Sequence, residues 1–278
     1  MGAILGQIWR RGTGRIGLIL VLIILIAGLG AQVLSPYDPD ELDILNRFAD
    51  PSWAHPMGTD HLGRDLLSRM LYGTQIALLV AVSTIIISLV AGTLLGIGAA
   101  YAPREVERAI LILFDIISSF PSLVFALAVV ALLGPGLDKV VMIVAVTLLP
   151  HFGRVARAQV LSLKNAPFLE AEQVLGASAT RVVLVHIVPN IMGPLVVLAS
   201  MDIPVVITIE AGLSFLGVGV PPPLASWGTL LNDGYANLTE TVWPVAFAGL
   251  MLTIATLGFT LFGEALRDAI DPKLKTDR

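Results

Sequence analysis

Apolar residues are concentrated in six long stretches that alternate with shorter polar segments. A helix rises about 1.5 Å per residue and the bilayer hydrocarbon is about 30 Å thick, so a spanning helix needs roughly 20 largely uncharged residues. The pattern predicts an all-α polytopic membrane protein with spans at 16–34, 75–101, 110–133, 140–163, 191–218 and 242–266. Because Arg154 and Arg157 interrupt the fourth stretch, we expect its apolar part to end near His151 and its helix to continue beyond the membrane.

The distribution of lysine and arginine predicts the orientation of these spans. With a cytoplasmic N-terminus, only four of the 17 basic residues fall outside, namely Arg47, Arg64, Arg69 and Lys139. Both termini are therefore assigned to the cytoplasm. The resulting segments are a cytoplasmic N-terminus 1–15, a first transmembrane helix 16–34, an external (periplasmic) segment 35–74, a five-helix core 75–266 with a cytoplasmic loop 164–189, and a cytoplasmic tail 267–278.

The first apolar stretch has an alternative interpretation as a signal peptide. Arg10, Arg11 and Arg15 precede it, and the small residues Ala27 and Ala31 resemble a cleavage region. However, its apolar run is longer than the roughly 7–15 residues of a signal peptide. An uncleaved first span is therefore the simpler interpretation.

Composition supports a membrane protein and argues against several other classes. Hydrophobic residues make up 56% of the chain and charged residues 14%, a balance too apolar for a soluble domain. The absence of cysteine excludes disulfides, thiolate metal sites and cysteine nucleophiles. A net charge of −4 without a basic stripe argues against nucleic-acid binding. No metal site is predicted, because the four histidines are far apart in the sequence: His55, His61, His151 and His186.

The cytoplasmic loop contains a short amphipathic segment. Phe168, Ala171 and Leu175 recur at spacings that place them on one face of a helix, whereas Glu170 lies on a polar face. Gly176 is expected to end or bend this helix. Such a helix can lie on lipid headgroups, cover its own bundle or dock into a groove of a partner. Glu170 disfavours an anionic lipid surface, and the other two interpretations remain open.

The same loop resembles the EAA loop of binding-protein-dependent ABC importer permeases. The resemblance rests on Glu170-Ala171-Glu172, followed by Gly176, Ile187 and Pro189. It implies a coupling helix that seats in an ATPase subunit. The residues that it assigns to this coupling are Phe168, Glu170, Ala171, Glu172, Leu175 and Gly176. One position departs from the family pattern, since Glu172 replaces the second alanine, and this larger acidic side chain puts the fit of the socket in doubt.

Four further blocks resemble the second, C-type permease of the dipeptide, oligopeptide and nickel subfamily. They are HPMGTDHLGRDLLSR at 55–69, LSFLGVG at 213–219, SWG at 226–228 and LRDAIDP at 266–272. The resemblance implies a six-helix permease that forms half of a translocation path and has no catalytic site. Short peptides are the first implied substrate class, with nickel chelates or another small solute as the alternative.

The family resemblance also implies a set of partners. These are a second homologous permease that completes a heterodimer, two ATPase subunits, an extracytoplasmic solute-binding protein and the bacterial inner membrane. No cofactor is expected on this chain. ATP and Mg are expected in the ATPase subunits, because the sequence lacks the Gly-x-x-x-x-Gly-Lys-Ser/Thr phosphate loop.

The 55–69 block lies in the external segment and concentrates glycine, acidic and basic residues. Its motif residues are Gly58, Thr59, Asp60, Gly63, Arg64, Asp65 and Arg69. A calcium loop is disfavoured because the carboxylates lack the spacing of a twelve-residue loop with a terminal glutamate. We expect a turn in which Asp60 or Asp65 pairs with Arg64 or Arg69 and which contacts the solute receptor.

Three ionisable residues lie within the predicted spans. Asp115, Asp202 and Glu210 either fix the packing by pairing with neighbouring groups or line a polar translocation path. Asp202 and Glu210 are about 12 Å apart along one helix, too far for a carboxylate pair that shares a proton.

Glycines and prolines in the spans predict close packing and kinks. Gly92 and Gly96 form Gly-x-x-x-Gly, which lets two helices approach either inside the bundle or at a second permease. The prolines act as static bends or as hinges for alternating access. They are Pro121, Pro150, Pro194 and Pro204.

Two rival functions fit the sequence less well. An intramembrane hydrolase needs a nucleophile beside a base, but Ser214 lacks a nucleophile-elbow pattern. An ion-coupled secondary transporter is disfavoured by the lack of an internal repeat.

Overall fold

A computed structural model of the chain describes residues 2–270, and regular structure in this range is helical throughout. The helices are α1 (Gly2–Arg10), α2 (Gly12–Leu29), α3 (Ala31–Leu34), α4 (Leu66–Tyr101), α5 (Arg104–Ser118), α6 (Ser122–Leu133), α7 (Leu137–Leu163), α8 (Pro167–Val174), α9 (Ala179–Arg181), α10 (Val188–Phe215), α11 (Trp227–Ala236) and α12 (Trp243–Ile270). A π-helical turn, Val182–Ile187, joins α9 and α10 into one helix, Ala179–Phe215. The all-α prediction is confirmed for the described residues.

Within residues 2–270, five helices are long and apolar enough to cross a membrane, namely α2, α4, α7, α12 and the helix Ala179–Phe215. They correspond to five of the six predicted spans, with different ends. α4 begins nine positions before the predicted start of the second span, and the helix Ala179–Phe215 begins well before position 191. α7 continues past His151 to Leu163 as expected.

The third predicted span, 110–133, is not one helix. It consists of α5 and α6, which meet at an angle of 87°. Pro121 lacks the amide hydrogen that would continue α5. At the end of α5, Ser119 Oγ donates to the carbonyl of Ile116 at 2.7 Å. The prediction of a continuous helix was therefore wrong. In contrast, Pro150, Pro194 and Pro204 lie inside helices that continue through them.

Two glycines of α4 allow the centre of the bundle to pack tightly. A Cβ atom at Gly92 would lie 2.6 Å from the carbonyl oxygen of Leu149, and one at Gly96 would lie 2.9 Å from the Cβ of Ala156, both on α7. The Gly-x-x-x-Gly motif thus packs two helices of this chain against each other.

α12 and α2 form a second close pair beside the centre. A Cβ atom at Gly17 would lie 2.6 Å from the amide nitrogen of Phe262, and one at Gly258 would lie 2.8 Å from the Cβ of Leu20. α10 packs against α12 on one side and α4 on the other. α2 is therefore an integral part of the bundle.

α11 covers the end of the bundle at which α4 begins, and it was not predicted. Ser226 and Thr229 form a reciprocal capping box at its start, a signal that the sequence contains. Its Trp227 is fully buried, and Trp227 Nε1 donates to the carbonyl of Met70 at 3.3 Å. Positions 271–278 of the predicted tail, including the end of the last family block, lie outside the described residues.

Candidate functional site

α8 is short because the sequence specifies both of its ends. Pro167 occupies its first position, where a missing amide hydrogen leaves no helical acceptor unpaired. After its last residue, Gly176 adopts φ +84°, a left-handed conformation that favours glycine. Ala177 N then donates to the carbonyl of Glu172 at 3.0 Å and closes the helix end.

α8 is anchored by one apolar side chain and exposes others. Leu169 is completely buried in the main core. Phe168 is 45% exposed and Leu175 is 83% exposed, although both are large and apolar. A helix that only covered its own bundle would bury these two side chains. The predicted apolar face is thus present, but it points away from the bundle.

Glu172, the position that departs from the family pattern, is turned toward the bundle. Its Oε1 lies 3.6 Å from Nε2 of His186, which belongs to the π-helical turn. The His186 ring also packs edge-on to Phe168, with centroids 6.5 Å apart. Sequence reasoning missed both Leu169 and His186, because their roles depend on how α8 packs against the next helix.

α8 lies at the same end of the bundle as both ends of the described chain. Lys164, just before α8, donates from Nζ to the carbonyl of Ala100 at the end of α4, at 3.1 Å. Ile8 of α1 packs against Ala265 and Ala269 near the end of α12. Gly193, early in α10, lies beside Ile270. This end of the bundle is called the α8 end below.

The 55–69 segment folds at the opposite end as a turn built around Asp60. One carboxylate oxygen of Asp60 accepts from the amides of Leu62 and Arg64 at 2.8 and 3.0 Å, and the other accepts from Arg64 Nε at 2.7 Å. Arg69 Nε lies 3.5 Å from the same carboxylate. Asp60, Arg64 and Arg69 are all buried. The structure therefore pairs Asp60 with Arg64 and Arg69, which is one of the expected combinations of acidic and basic residues.

Asp65 has a different role from Asp60, because it caps α4. It accepts from Ser68 N at 2.8 Å, and its other oxygen lies 2.9 Å from Nδ1 of His55. Gly58 and Gly63 adopt positive φ at the two bends of this turn. The hydroxyl of Thr59 is donated to the carbonyl of Asn46. The motif residues thus form one packed unit at the N-terminal end of α4.

Two of the three acids in the predicted spans pair with side chains of α7. Asp115 of α5 accepts from Arg154 Nη2 at 2.8 Å. Asp202 of α10 lies with Oδ2 3.1 Å from Nδ1 of His151. Sequence reasoning identified the acids but missed these partners, which lie 39 and 51 positions away in the sequence.

Glu210, the third acid, lies inside the packed chain and does not reach its surface. It is fully buried and accepts from Ser214 Oγ at 2.7 Å. Ser214 in turn accepts from Val220 N at 3.1 Å. This network holds the turn that follows α10, so Glu210 fixes packing at the end of the bundle where α10 ends.

Comparison with known proteins gives concordant results. A protein-family model described as "Binding-protein-dependent transport system inner membrane component" matches residues 92–276. The di/tripeptide transport system permease DppC of Pseudomonas aeruginosa is 40% identical over 265 residues, which cover 93% of this chain and 88% of that protein. The oligopeptide transport system permease OppC of Bacillus subtilis is 36% identical, covering 94% of this chain and 85% of that protein.

A solved structure supports the fold. A chain of the MetNI methionine ABC transporter in an inward-facing conformation matches with a TM-score of 0.60 at 17% identity. The match covers 74% of this chain and 96% of that chain. The prediction of a permease-type helical bundle is confirmed.

Proposed function

The chain belongs to the family of binding-protein-dependent transport system inner membrane components, and from this premise we propose how its parts move a substrate. It is a polytopic permease subunit of an ABC importer for peptides, in agreement with its di/tripeptide and oligopeptide permease relatives. Family membership implies an ATPase partner, a substrate-binding partner and a bilayer.

The exposed apolar side of α8 is the observation that carries the proposal. The side chains of Phe168 and Leu175 are exposed, whereas the buried Leu169 holds the helix in place. A groove on an ATPase subunit would bury both side chains and receive Glu170 and Ala171 at its edge. α8 would then follow the ATPase when ATP closes it, and Glu172 would pass the movement to His186 at the base of α10.

The assembly that this mechanism requires has four further components. A second homologous permease would complete a heterodimeric path, and two ATPase subunits would hold ATP and Mg. An extracytoplasmic solute-binding protein would deliver the peptide. Hydrolysis would take place only in the ATPase subunits, so this chain itself would be non-catalytic and bind no cofactor.

The α8 end would face the cytoplasm of the bacterial inner membrane. Arg10, Arg11 and Arg15 lie at this end, as do Arg104 and Arg108 at the start of α5. Such clustering is typical of cytoplasmic loops. Both termini would then be cytoplasmic, and the Asp60 turn would face the solute-binding protein with its motif residues Gly58, Thr59, Asp60, Gly63, Arg64, Asp65 and Arg69.

Within the membrane, Asp115 and Asp202 are the acids proposed to line the path, whereas Glu210 is left out because it is buried. The substrate class is short peptides, after the relatives; import of nickel chelates or another small solute by the same architecture is the second candidate. An ion-coupled transporter is the least favoured alternative, because it leaves the exposed side of α8 without a role.

Reconstitution tests the proposal. The complete importer, with both permeases, both ATPases and the solute-binding protein, is placed in vesicles, and uptake of labelled L-alanyl-L-alanine (dialanine) is followed. ATP-dependent uptake that is lost when the ATPases are omitted supports it. Uptake by this chain alone on an ion gradient would overturn it.

A further inference from the structure

Four ionisable side chains lie together inside the membrane region. His151 is 14 residues from the start of α7, and Asp202 is 13 residues before the end of α10, so both lie about 20 Å below the outer ends of their helices. Arg154 is one turn further along α7 and pairs with Asp115. These depths fall within a hydrocarbon layer about 30 Å thick, so Arg154 is placed in the inner part of the span and not in the extension beyond the membrane that the sequence suggested.

Three of these four side chains are exposed on the surface of the chain. The exposed fraction is 73% for Asp115, 46% for Arg154 and 50% for His151. Exposed charges at this depth are costly against lipid and normally face water or protein. The cores of protein interfaces are depleted in charged residues, so a neighbouring permease is a poor cover for this face. A water-filled path satisfies all three side chains.

The break between α5 and α6 lies at the same place. Arg154 Nη2 is 3.3 Å from Ser118 Oγ at the end of α5, and Ser119 and Phe120 beyond it are exposed. Non-helical backbone at membrane depth is tolerated only where protein covers it or where it lines a water-filled cavity. The bend is therefore an observation independent of the charges, and it indicates the same aqueous surface.

We propose that the two side-chain pairs, Asp115–Arg154 and His151–Asp202, form a polar step that binds the charged ends of a short peptide as it crosses. The proposal rests on the peptide-import function and specifies what the path recognises. Arg154 is a planar donor suited to a carboxylate, and Asp115 and Asp202 are acceptors suited to an ammonium group. A peptide whose carboxylate contacts Arg154 and whose ammonium group contacts Asp115 inserts between these two side chains, so each of them keeps a partner of opposite charge.

Cysteine accessibility tests whether this face is aqueous. The chain has no native cysteine, so a single introduced thiol reports one position. Ser118→Cys probes the step, and Ser119→Cys is a second probe if the first variant fails to assemble. Leu94→Cys is the matched control: Leu94 lies between Gly92 and Gly96, which pack against Leu149 and Gly153, so it is level with His151 and is 65% exposed.

The reagent is a charged, membrane-impermeant methanethiosulfonate added to both sides of the reconstituted importer, and modification of this subunit is measured by mass spectrometry. We expect the thiol at 118 or 119 to react about tenfold or more faster than the thiol at 94, because lipid excludes the charged reagent. Equal rates would overturn the aqueous step.

Protection tests recognition of the charged ends. Dialanine is added to the nucleotide-free importer, with N-acetyl-dialanine amide, which lacks both end charges, as the comparison. We expect dialanine, at about twice its Kd for the step, to slow the reaction at position 118 about threefold, because a third of the sites remain free. The blocked peptide should have no effect. Equal protection by the two peptides, or none by dialanine, overturns recognition of the ends.

The two failures are distinguishable. If peptide import itself is wrong, the wild-type importer shows no ATP-dependent dialanine uptake in the same vesicles. If only the polar step is wrong, uptake proceeds while the 118 and 94 thiols react alike or dialanine fails to protect.

Discussion

Oε1 of Glu172 on α8 lies 3.6 Å from Nε2 of His186 in the π-helical turn below α10. Together with the burial of Leu169, this contact joins the exposed helix to the helix that contains Asp202. Because the helix Ala179–Phe215 is continuous, a displacement of α8 could be passed along it toward Asp202. Under the proposed function, α8 and α10 would form the mechanical connection between the ATPase contact and the path.

Glu170→Lys tests the docking surface. Glu170 is exposed, so the change should leave insertion and thermal stability unaltered while reversing the charge offered to the ATPase. We expect ATP-driven dialanine uptake to fall about tenfold or more, which corresponds to about 1.4 kcal/mol of lost interaction.

Glu240→Lys is the control for this change, because Glu240 is equally exposed but lies at the opposite end of the bundle. It should leave uptake unchanged. If Glu170→Lys is as active as this control, α8 does not dock as proposed.

Gly176 tests the backbone conformation at the end of α8 separately from side-chain contacts. A Cβ added there meets no atom within 4 Å, so substitutions act only through φ +84°. Gly176→Val should destabilise the end of α8 by about 1–2 kcal/mol and strongly lower uptake. Gly176→Asn should retain most activity, because asparagine tolerates the left-handed region. Uptake assays on both variants decide the point, and full activity of the valine variant would contradict the requirement for this helix end.

Arg64→Ala tests the Asp60 turn. Removing Arg64 leaves the carboxylate of Asp60 buried without its closest cation, which typically costs about 3–5 kcal/mol. We expect a lower yield of assembled complex and weaker binding of the solute-binding protein, measured by size-exclusion and pull-down, with ATP hydrolysis per assembled complex retained. Arg47→Ala is the matched control, since Arg47 is exposed in the same segment between α3 and α4. Loss of ATP hydrolysis in the assembled Arg64 variant would contradict the placement of this turn on the outer face of the membrane.

Gly96→Ala and Gly98→Ala compare two glycines on the same helix. A Cβ at Gly96 would lie 2.9 Å from that of Ala156, whereas one at Gly98 meets no atom within 4 Å. The first change should push α4 from α7 and destabilise the bundle by about 1–3 kcal/mol. The second should be neutral or slightly stabilising. Thermal unfolding in detergent compares them, and equal melting temperatures would show that the two helices do not pack as described.

Hydropathy and helix length were sufficient to predict most of the bundle, because burying apolar side chains in lipid depends on local sequence alone. The break at Pro121 was not predicted, since Pro194 and Pro204 show that a proline inside a span is compatible with a continuous helix. The early start of α4 was also missed. It depends on burial of Arg69 beneath the external segment, which is a tertiary effect.

The candidate site, like the fold, was only partly predictable from the sequence. The 3.6-residue periodicity of Phe168, Ala171 and Leu175 indicated α8, because a short surface helix is encoded locally. The partners of Asp115 and Asp202 lie on α7, and only the packing of three helices brings them into contact. Glu210 looked equivalent to these acids in the sequence and differs from them only in burial.

Arg154→Gln separates recognition from structural support at the polar step. Arg157 is the matched control, because it lies one turn further along α7 and pairs with Glu107 of α5, with Nε 2.9 Å from the carboxylate. Both glutamine variants lose one ion pair between α5 and α7. We expect Arg154→Gln to lower the number of dialanine molecules moved per ATP hydrolysed about tenfold, and Arg157→Gln to leave this ratio unchanged.

Exchanging the charges of Asp115 and Arg154 separates a structural role from recognition. In the double variant Asp115→Arg with Arg154→Asp the ion pair is restored, so a purely structural role predicts recovery of the ratio. Recognition of a peptide predicts no recovery, because the carboxylate and ammonium ends would meet groups in reversed positions. ATP hydrolysis and assembly should match wild type in all of these complexes. Full recovery by the exchanged pair would assign Asp115 and Arg154 to packing alone.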